Sequence, residues 1–236
     1  MKEGLQNIQK LQLQALGPKH LVINKIKYKK YWRKSGLKQK EAGNFFLQHI
    51  FQRKPKNFLE IGVFHGVTSR NVCDLLSDIH GNDFKFTGID LFSTETETLN
   101  EEYIPSNKFS NILKTIYYNY IIRLDPYSMQ SVEKLLKKYK NNTNIIKGNS
   151  NKVLKEIALD SFDYVFLDGG HKYETVLNDL KNLTKIIENY GVILCDDYDL
   201  IHAPGVKKAI DEYVLLNNFN LKILNSRFAE ITKNST

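Results

Sequence analysis

From Asn57 onward the chain alternates short β-rich runs with longer amphipathic ones, and this alternation restricts its folds more than any other feature. The runs are NFLEIGV, FKFTGIDLF, NTNIIKG, FDYVFLDGG and GVILCDD. Helical spacing of the apolar residues predicts helices over Thr68 to about His80, Lys152 to Ala158, Tyr173 to Tyr190 and Val206 to Asn217. Strands joined by helices call for a mostly parallel, doubly wound α/β sheet covered on both faces, because parallel neighbours need crossover connections. The closing runs LKILN and FAEITK flank a short Asn-Ser-Arg turn, which predicts a hairpin and hence an antiparallel edge.

The remaining segments are less regular. Residues 3 to 16 and 38 to 53 read as helices; in the second, Ala42, Phe45, Phe46, His49, Ile50 and Phe51 recur at helical spacing before Pro55 stops it. Pro18 to Lys40 holds nine Lys or Arg and no acid, with Tyr28, Tyr31 and Trp32 interleaved. Such a segment reads as a solvated helix face, or as a surface for phosphates of nucleic acid, an anionic membrane or an acidic partner. Between the second and third strands, Ser93 to Asn142 is an insertion rich in Tyr and Ile, read as a helical insertion or lid. The expected organisation is a basic, helical N-terminal segment over 1–54 and one domain over 55–236, with the insertion at about 93–142.

With 236 residues, 42% apolar and 25% charged, the chain suits one domain of ordinary soluble composition. The N-terminus MKEGLQNIQK lacks the apolar core of a secretory signal, and no run approaches the roughly 18 apolar residues of a membrane span. Cys73 and Cys195 are the only cysteines, so no disulfide framework is expected. These features favour the cytosol.

The strand ends carry the chemistry. In FLEIGVFHGVTS, Glu60 and Gly62 follow a strand, Gly66 comes four residues later and Ser69 opens the next helix. Glycine permits the tight turn and removes the Cβ that would block a ligand, but the third glycine of the dinucleotide fingerprint is missing. Asp90 ends the second strand, where a carboxylate can accept both ribose hydroxyls of a nucleoside. Gly148, Asn149 and Ser150 follow the third, suited to the edge of an adenine. Asp168 ends the fourth strand, and Asp196 and Asp197 end the fifth. Ligands of doubly wound sheets bind beyond these carboxyl ends.

The stretches FLEIGVFHGVTS, FTGIDLF, IIKGNSNKVLKEI, FDYVFLDGGHKYETVLNDL, GVILCDDYD and APGVKKAIDEY resemble class I S-adenosylmethionine-dependent methyltransferases, within them the macrolide-sugar (macrocin-type) O-methyltransferases. The resemblance spans most of Asn57 to Val214. It implies a Rossmann-like seven-stranded sheet of order 3-2-1-4-5-7-6 with the last strand antiparallel. It also implies that Glu60, Gly62, Gly66 and Ser69 line the methionine end of S-adenosylmethionine, that Asp90 binds its ribose, and that Gly148, Asn149 and Ser150 lie beside its adenine, with Asp168 at the same cofactor rim. A homodimer is a further expectation from the family.

Methyl transfer to a hydroxyl needs an aligned acceptor and a route for its proton. Asp168, Asp196 and Asp197 offer hard oxygens for Mg²⁺, which would favour the deprotonated acceptor, whereas three unpaired acids would repel one another. His171, in DGGH, is the candidate base, with Asp168 beside it as the second catalytic residue. The expected acceptor is a sugar or other small polyhydroxylated molecule. The competing readings are a methyltransferase gripping nucleic acid or protein through residues 18–40, and a non-catalytic nucleotide-binding module.

Overall fold

In the computed structural model, which describes residues 26–37, 39–92, 109 and 111–234, the five β-rich runs become parallel strands. They are β1 (Asn57–Ile61), β2 (Lys85–Asp90), β3 (Thr143–Lys147), β4 (Tyr164–Leu167) and β5 (Val192–Cys195), joined edge to edge in parallel register. The last two runs are β6 (Asn220–Leu224) and β7 (Phe228–Thr232), and the sheet order is β3-β2-β1-β4-β5-β7-β6. This is the order implied by the sequence resemblance. The antiparallel strand is β7, and it lies inside the sheet rather than at its edge: Ile193, Leu194 and Cys195 face Ile231, Glu230 and Ala229 across an antiparallel ladder. Composition explains the exchange. Phe228, Ala229 and Ile231 are fully buried, whereas β6 (NLKIL) exposes alternate polar residues as an edge strand must.

Helices α1 (Lys40–Arg53), α2 (Val67–His80), α3 (Ile112–Ile116, running on as a wider turn to Ile122) and α4 (Met129–Leu135) precede β3. After it come α5 (Ser150–Val153), α6 (Tyr173–Glu188) and α7 (Pro204–Asn217). The predicted helix at 152–158 is thus a single turn that starts earlier. The expected helix at 3–16 and residues 93–108 of the insertion lie outside the described residues.

Strand alternation divides the core into two layers. Leu59, Ile61, Val165, Leu167, Ile193 and Cys195 face α6 and α7, while Phe58, Tyr164, Phe166, Val192, Leu194 and Phe228 face α1 and α2. Cys73 and Cys195 fall in opposite layers, both as free thiols. A buried polar cluster crosses the second layer: His49 meets Tyr164 Oη through Nδ1 and Glu230 through Nε2, each at 2.7 Å, and Arg53 donates to the same carboxylate at 2.5 Å. No described helix is long and apolar enough to cross a membrane.

The described part of the basic segment is not a solvated helix. Residues 26–37 run as a turn-containing strap against α1 and α2, with Tyr28 and Leu37 buried. Tyr28 Oη bonds Ser35 (2.6 Å) and Thr68 (2.8 Å), Asn71 pairs with both backbone groups of Lys29, and Arg33 donates to the carbonyls of His65 (3.1 Å) and Ser131 (3.0 Å). These are main-chain anchors that a helix would have hidden within its own ladder.

Gly62 fixes how closely β1 and β4 approach at the rim. Its φ is +94°, and a Cβ there would stand 1.8 Å from the carbonyl oxygen of Asp168. Both the backbone conformation and the contact exclude a side chain. Gly62→Ala is expected to cost more than about 2 kcal/mol of stability, measured as a lower urea midpoint at unchanged slope; a midpoint equal to wild type would show that the two strands can separate there at no cost.

Candidate active site

Main-chain hydrogen bonds carry the sheet ladder one residue past the strand ends. Gly62 N–H donates to Ile89 (2.9 Å), Asp168 to Ile61 (2.8 Å), Gly148 to Asp90 (2.9 Å) and Asp196 to Leu167 (3.0 Å). The positions singled out in the sequence therefore emerge at one rim, held by backbone rather than by their side chains. Gly66, at φ +72°, starts α2 directly above it.

Around the Gly loop, Glu60 is fully buried on β1 and accepts from Ser69 Oγ through Oε2, while its Oε1 has no hydrogen-bond partner. Burial drives its pKa up to about 8, with the Ser69 bond pulling down and the Asp90 charge pushing up. Asp90 accepts from the N–H groups of Phe64 (2.8 Å) and Phe92 (2.9 Å) and from Tyr127 Oη (2.9 Å). Burial raises its pKa despite those bonds. With a further bond from the Val63 N–H, these donors take up the roughly four lone-pair sites of a carboxylate, so a ligand hydroxyl would replace one of them. Asn149 caps α5, its Oδ1 accepting from Asn151 N–H at 3.0 Å, which engages the side-chain oxygen and not the amide N–H₂.

Across the rim, ligand atoms of Asp168, His171 and Asp197 lie within 4.8 Å of one another. His171 is buried, with Nε2 at 3.1 Å from Asp197 Oδ2. A recess lined by Leu167, Asp168, His171, Asp196, Asp197 and Val206 opens here. Burial, and then the charges of Asp196 and Asp197, push the Asp168 carboxyl well above its ordinary range, with Arg227 opposing. For Asp197 burial acts upward too, but the His171 bond and the Arg227 charge outweigh it and hold the group low. Clustered acids, one strained toward protonation, and a neighbouring imidazole form a donor set that a divalent cation fits.

Asp196 lines the same recess but is already paired. Arg227 reaches Asp196 Oδ1 through Nε (2.5 Å) and Oδ2 through Nη2 (2.6 Å), and its Nη2 also lies 3.2 Å from Asp197 Oδ1. Burial moves Asp196 up to about 6 against the Arg227 hydrogen bond. Arg227 sits in the β6–β7 turn, and sequence reading alone did not single it out. No local signal marks it: its place comes from the β5–β7 ladder, where Cys195 opposite Ala229 in antiparallel register sets residue 227 opposite 197.

The other aromatic and imidazole groups near the rim are mostly engaged in packing. Tyr173 Oη donates to Glu212 (2.7 Å), and Tyr198 Oη to Asp211 (2.6 Å), both on α7. His65 is buried against Phe64 at 4.2 Å between ring centroids, with neither ring nitrogen hydrogen-bonded. Burial, together with the charges of Arg33, Lys34 and Lys114, depresses its pKa to about 3.

The profile described as a methyltransferase domain matches residues 59–198, more than half of the chain and all of the rim but the β6–β7 turn. An uncharacterized protein of Acanthamoeba polyphaga mimivirus is 30% identical over 107 residues, 40% of this chain; the match spans about half (48%) of that protein's length. Among solved structures, the calicheamicin methyltransferase CalS11 superposes with a TM-score of 0.60 at 13% identity, covering 99% of this chain and 93% of that one. The SAH-bound methyltransferase PaMTH1 of Podospora anserina gives 0.54 at 16% identity over 84% and 80% of the two chains. The O-methyltransferase NovP gives 0.54 at 18% over 83% and 79%. The chain thus belongs to the methyltransferase domain family and has the fold of the class I S-adenosylmethionine-dependent methyltransferases.

Proposed function

We propose that this methyltransferase transfers the methyl group of S-adenosylmethionine to a hydroxyl of a sugar or similar small polyhydroxylated acceptor, with a divalent ion at the acid rim. The observation that carries this reading is the convergence of Asp168, His171 and Asp197 beside the Gly62 loop. A hydroxyl needs its proton removed, and this constellation is built for that task more than for amine methylation. Among the structural neighbours, CalS11 is described as a TDP-rhamnose 3'-O-methyltransferase.

The cofactor reading rests on the glycine-shaped loop and on a buried acceptor without a partner. Gly62 and Gly66 set the loop's left-handed turns and let Asp168 and Val132 pack against it, so they shape the cradle from the protein side rather than opening space for a ligand; Glu60 Oε1 is buried and unpaired, and Ser69 orients the other oxygen of that carboxyl group. Asp90 takes the ribose hydroxyls, and Gly148, Asn149 and Ser150 border the adenine. When bound, S-adenosylmethionine supplies the methyl group, and a divalent ion supplies positive charge beside the acceptor hydroxyl. Asp168 and Asp197 provide hard oxygens for such an ion, with Asp196 the further carboxylate named from sequence. His171, oriented by Asp197, takes the acceptor proton on a ring nitrogen.

The direct test is calorimetric titration with S-adenosylmethionine, with Mg²⁺ and with EDTA, followed by methyl transfer to a panel of hydroxylated sugars. Cofactor binding with transfer that EDTA abolishes is the expected result. Transfer only to amines, or to nucleic acid, would overturn the acceptor assignment.

Three variants divide the roles. Asp90→Ala is expected to weaken binding of S-adenosylhomocysteine by about tenfold or more while leaving Mn²⁺ affinity alone; equal affinity would remove Asp90 from the ribose site. His171→Ala is expected to lower kcat by about a hundredfold with both affinities kept, and full turnover would exclude it as the base. Glu60 is mostly protonated at neutral pH in the free protein, because burial raises its pKa to about 8. A cationic cofactor favours its carboxylate, so affinity should rise from pH 6 to pH 8 with proton release, and Glu60→Gln should lessen that rise. Identical pH profiles for the two proteins would sever Glu60 from the cofactor.

A further inference from the structure

Arg227 stands at the rim, and the proposed chemistry has not used it. Its guanidinium spans both oxygens of Asp196 at 2.5 and 2.6 Å, reaches Asp197 Oδ1 at 3.2 Å and donates to the Gly36 carbonyl at 3.4 Å. Asp196 is itself buried, and its Oδ1 also accepts from the Asp197 N–H at 2.8 Å. A planar fork matched to a carboxylate is the strongest pairing that side chains form, and it uses the oxygens an ion would need. Asp168 has no such bond to Arg227: the arginine acts on it by charge alone, and its Oδ2 lies 2.9 Å from where a Cβ on Gly36 would stand.

The position is set by topology. β7 pairs antiparallel with β5, so the residue preceding Phe228 is delivered to the acid end of β5, and Tyr198 N–H fastens the turn by donating to the Arg227 carbonyl at 2.9 Å. Asn225 and Ser226, both at positive φ, turn the chain immediately before it. Arg227 therefore arrives on a backbone held from both sides.

We propose that Arg227 is a built-in competitor for the divalent ion: it keeps Asp196 out of the ligand set, so that the ion is held by Asp168 and Asp197, and its charge sets how tightly. Arg227 is a positioning residue in this account, since it acts through the carboxylates and not on the acceptor. The proposal rests on the metal-assisted reading above, but its test separates the two.

The test is titration of the full chain with Mn²⁺ alone, followed by electron paramagnetic resonance of the free ion. S-adenosylhomocysteine binding and thermal melting serve as checks on folding. Arg227→Met is expected to tighten Mn²⁺ binding by about tenfold or more, because a fixed positive charge leaves and Asp196 is released. The double variant Asp196→Asn with Arg227→Met removes one charge of each sign, and its Mn²⁺ affinity is expected to stay within about threefold of wild type. A merely structural arginine would change melting without this pattern.

Should Arg227→Met fail to fold, Arg227→Lys keeps the charge without the fork, and ion affinity is then expected to stay within about threefold of wild type. A loss of about a hundredfold in the double variant would make Asp196 a ligand, and weaker binding in Arg227→Met would make Arg227 a support of the ion site; either result overturns the proposal. If wild type binds no Mn²⁺ while Arg227→Met does, the competitor role stands and metal assistance of the native enzyme falls. Absence of binding in every variant that still takes S-adenosylhomocysteine would overturn both.

Discussion

Three carboxylates brought to the ends of two neighbouring strands repel one another, and the rim of this sheet is organised around that repulsion. Asp168, Asp196 and Asp197 are fixed by main-chain bonds that leave them little room to move apart. Relief must come from opposite charge or from a proton. Arg227 supplies the first to Asp196 and Asp197, and His171 shares Asp197. Asp168 has the least compensation, and burial first and then the charges of Asp196 and Asp197 hold its carboxyl well above the ordinary range. The same shortage makes it the carboxylate with most to gain from an added cation.

How much of this was legible in the sequence depends on which interactions are local. The strand-helix alternation announces itself by period, so the sheet, the rim and the emergence of Asp90, Asp168 and Asp196 at strand ends could be read directly. The hairpin was legible from the residues themselves, whereas β7's place between β5 and β6 came only with the strand order that the family resemblance implied. That choice turns on whether FAEIT or NLKIL is better suited to burial between neighbours, a comparison made only when the whole sheet is present. Arg227 followed the same fate, since its position opposite Asp197 depends on a register between segments more than thirty residues apart in number.

The strap at 26–37 was misleading for a different reason. Lysines and tyrosines in a run suit a solvated helix as well as an extended segment, and composition cannot distinguish them. What decides is the set of partners: Asn44, Asn71 and Thr68 lie on α1 and α2 with side chains that satisfy the strap's backbone and its Tyr28 hydroxyl. Asn149 shows the reverse case, a residue whose capping of α5 is a local interaction, made by its side-chain oxygen with the N–H two residues on.

Tyr127 reaches across from the insertion to Asp90, and Arg33 from the strap to the Gly loop. Both come from outside the strand-helix alternation, yet each closes over a group that the alternation positions. Inheritance can therefore act on the two layers at different speeds. The rim is tied into the sheet's own hydrogen bonding, whereas the covering segments meet it through side chains such as Arg33 and Tyr127. A lineage of such enzymes could change the molecules it accepts by rewriting the cover while its chemistry stays the same.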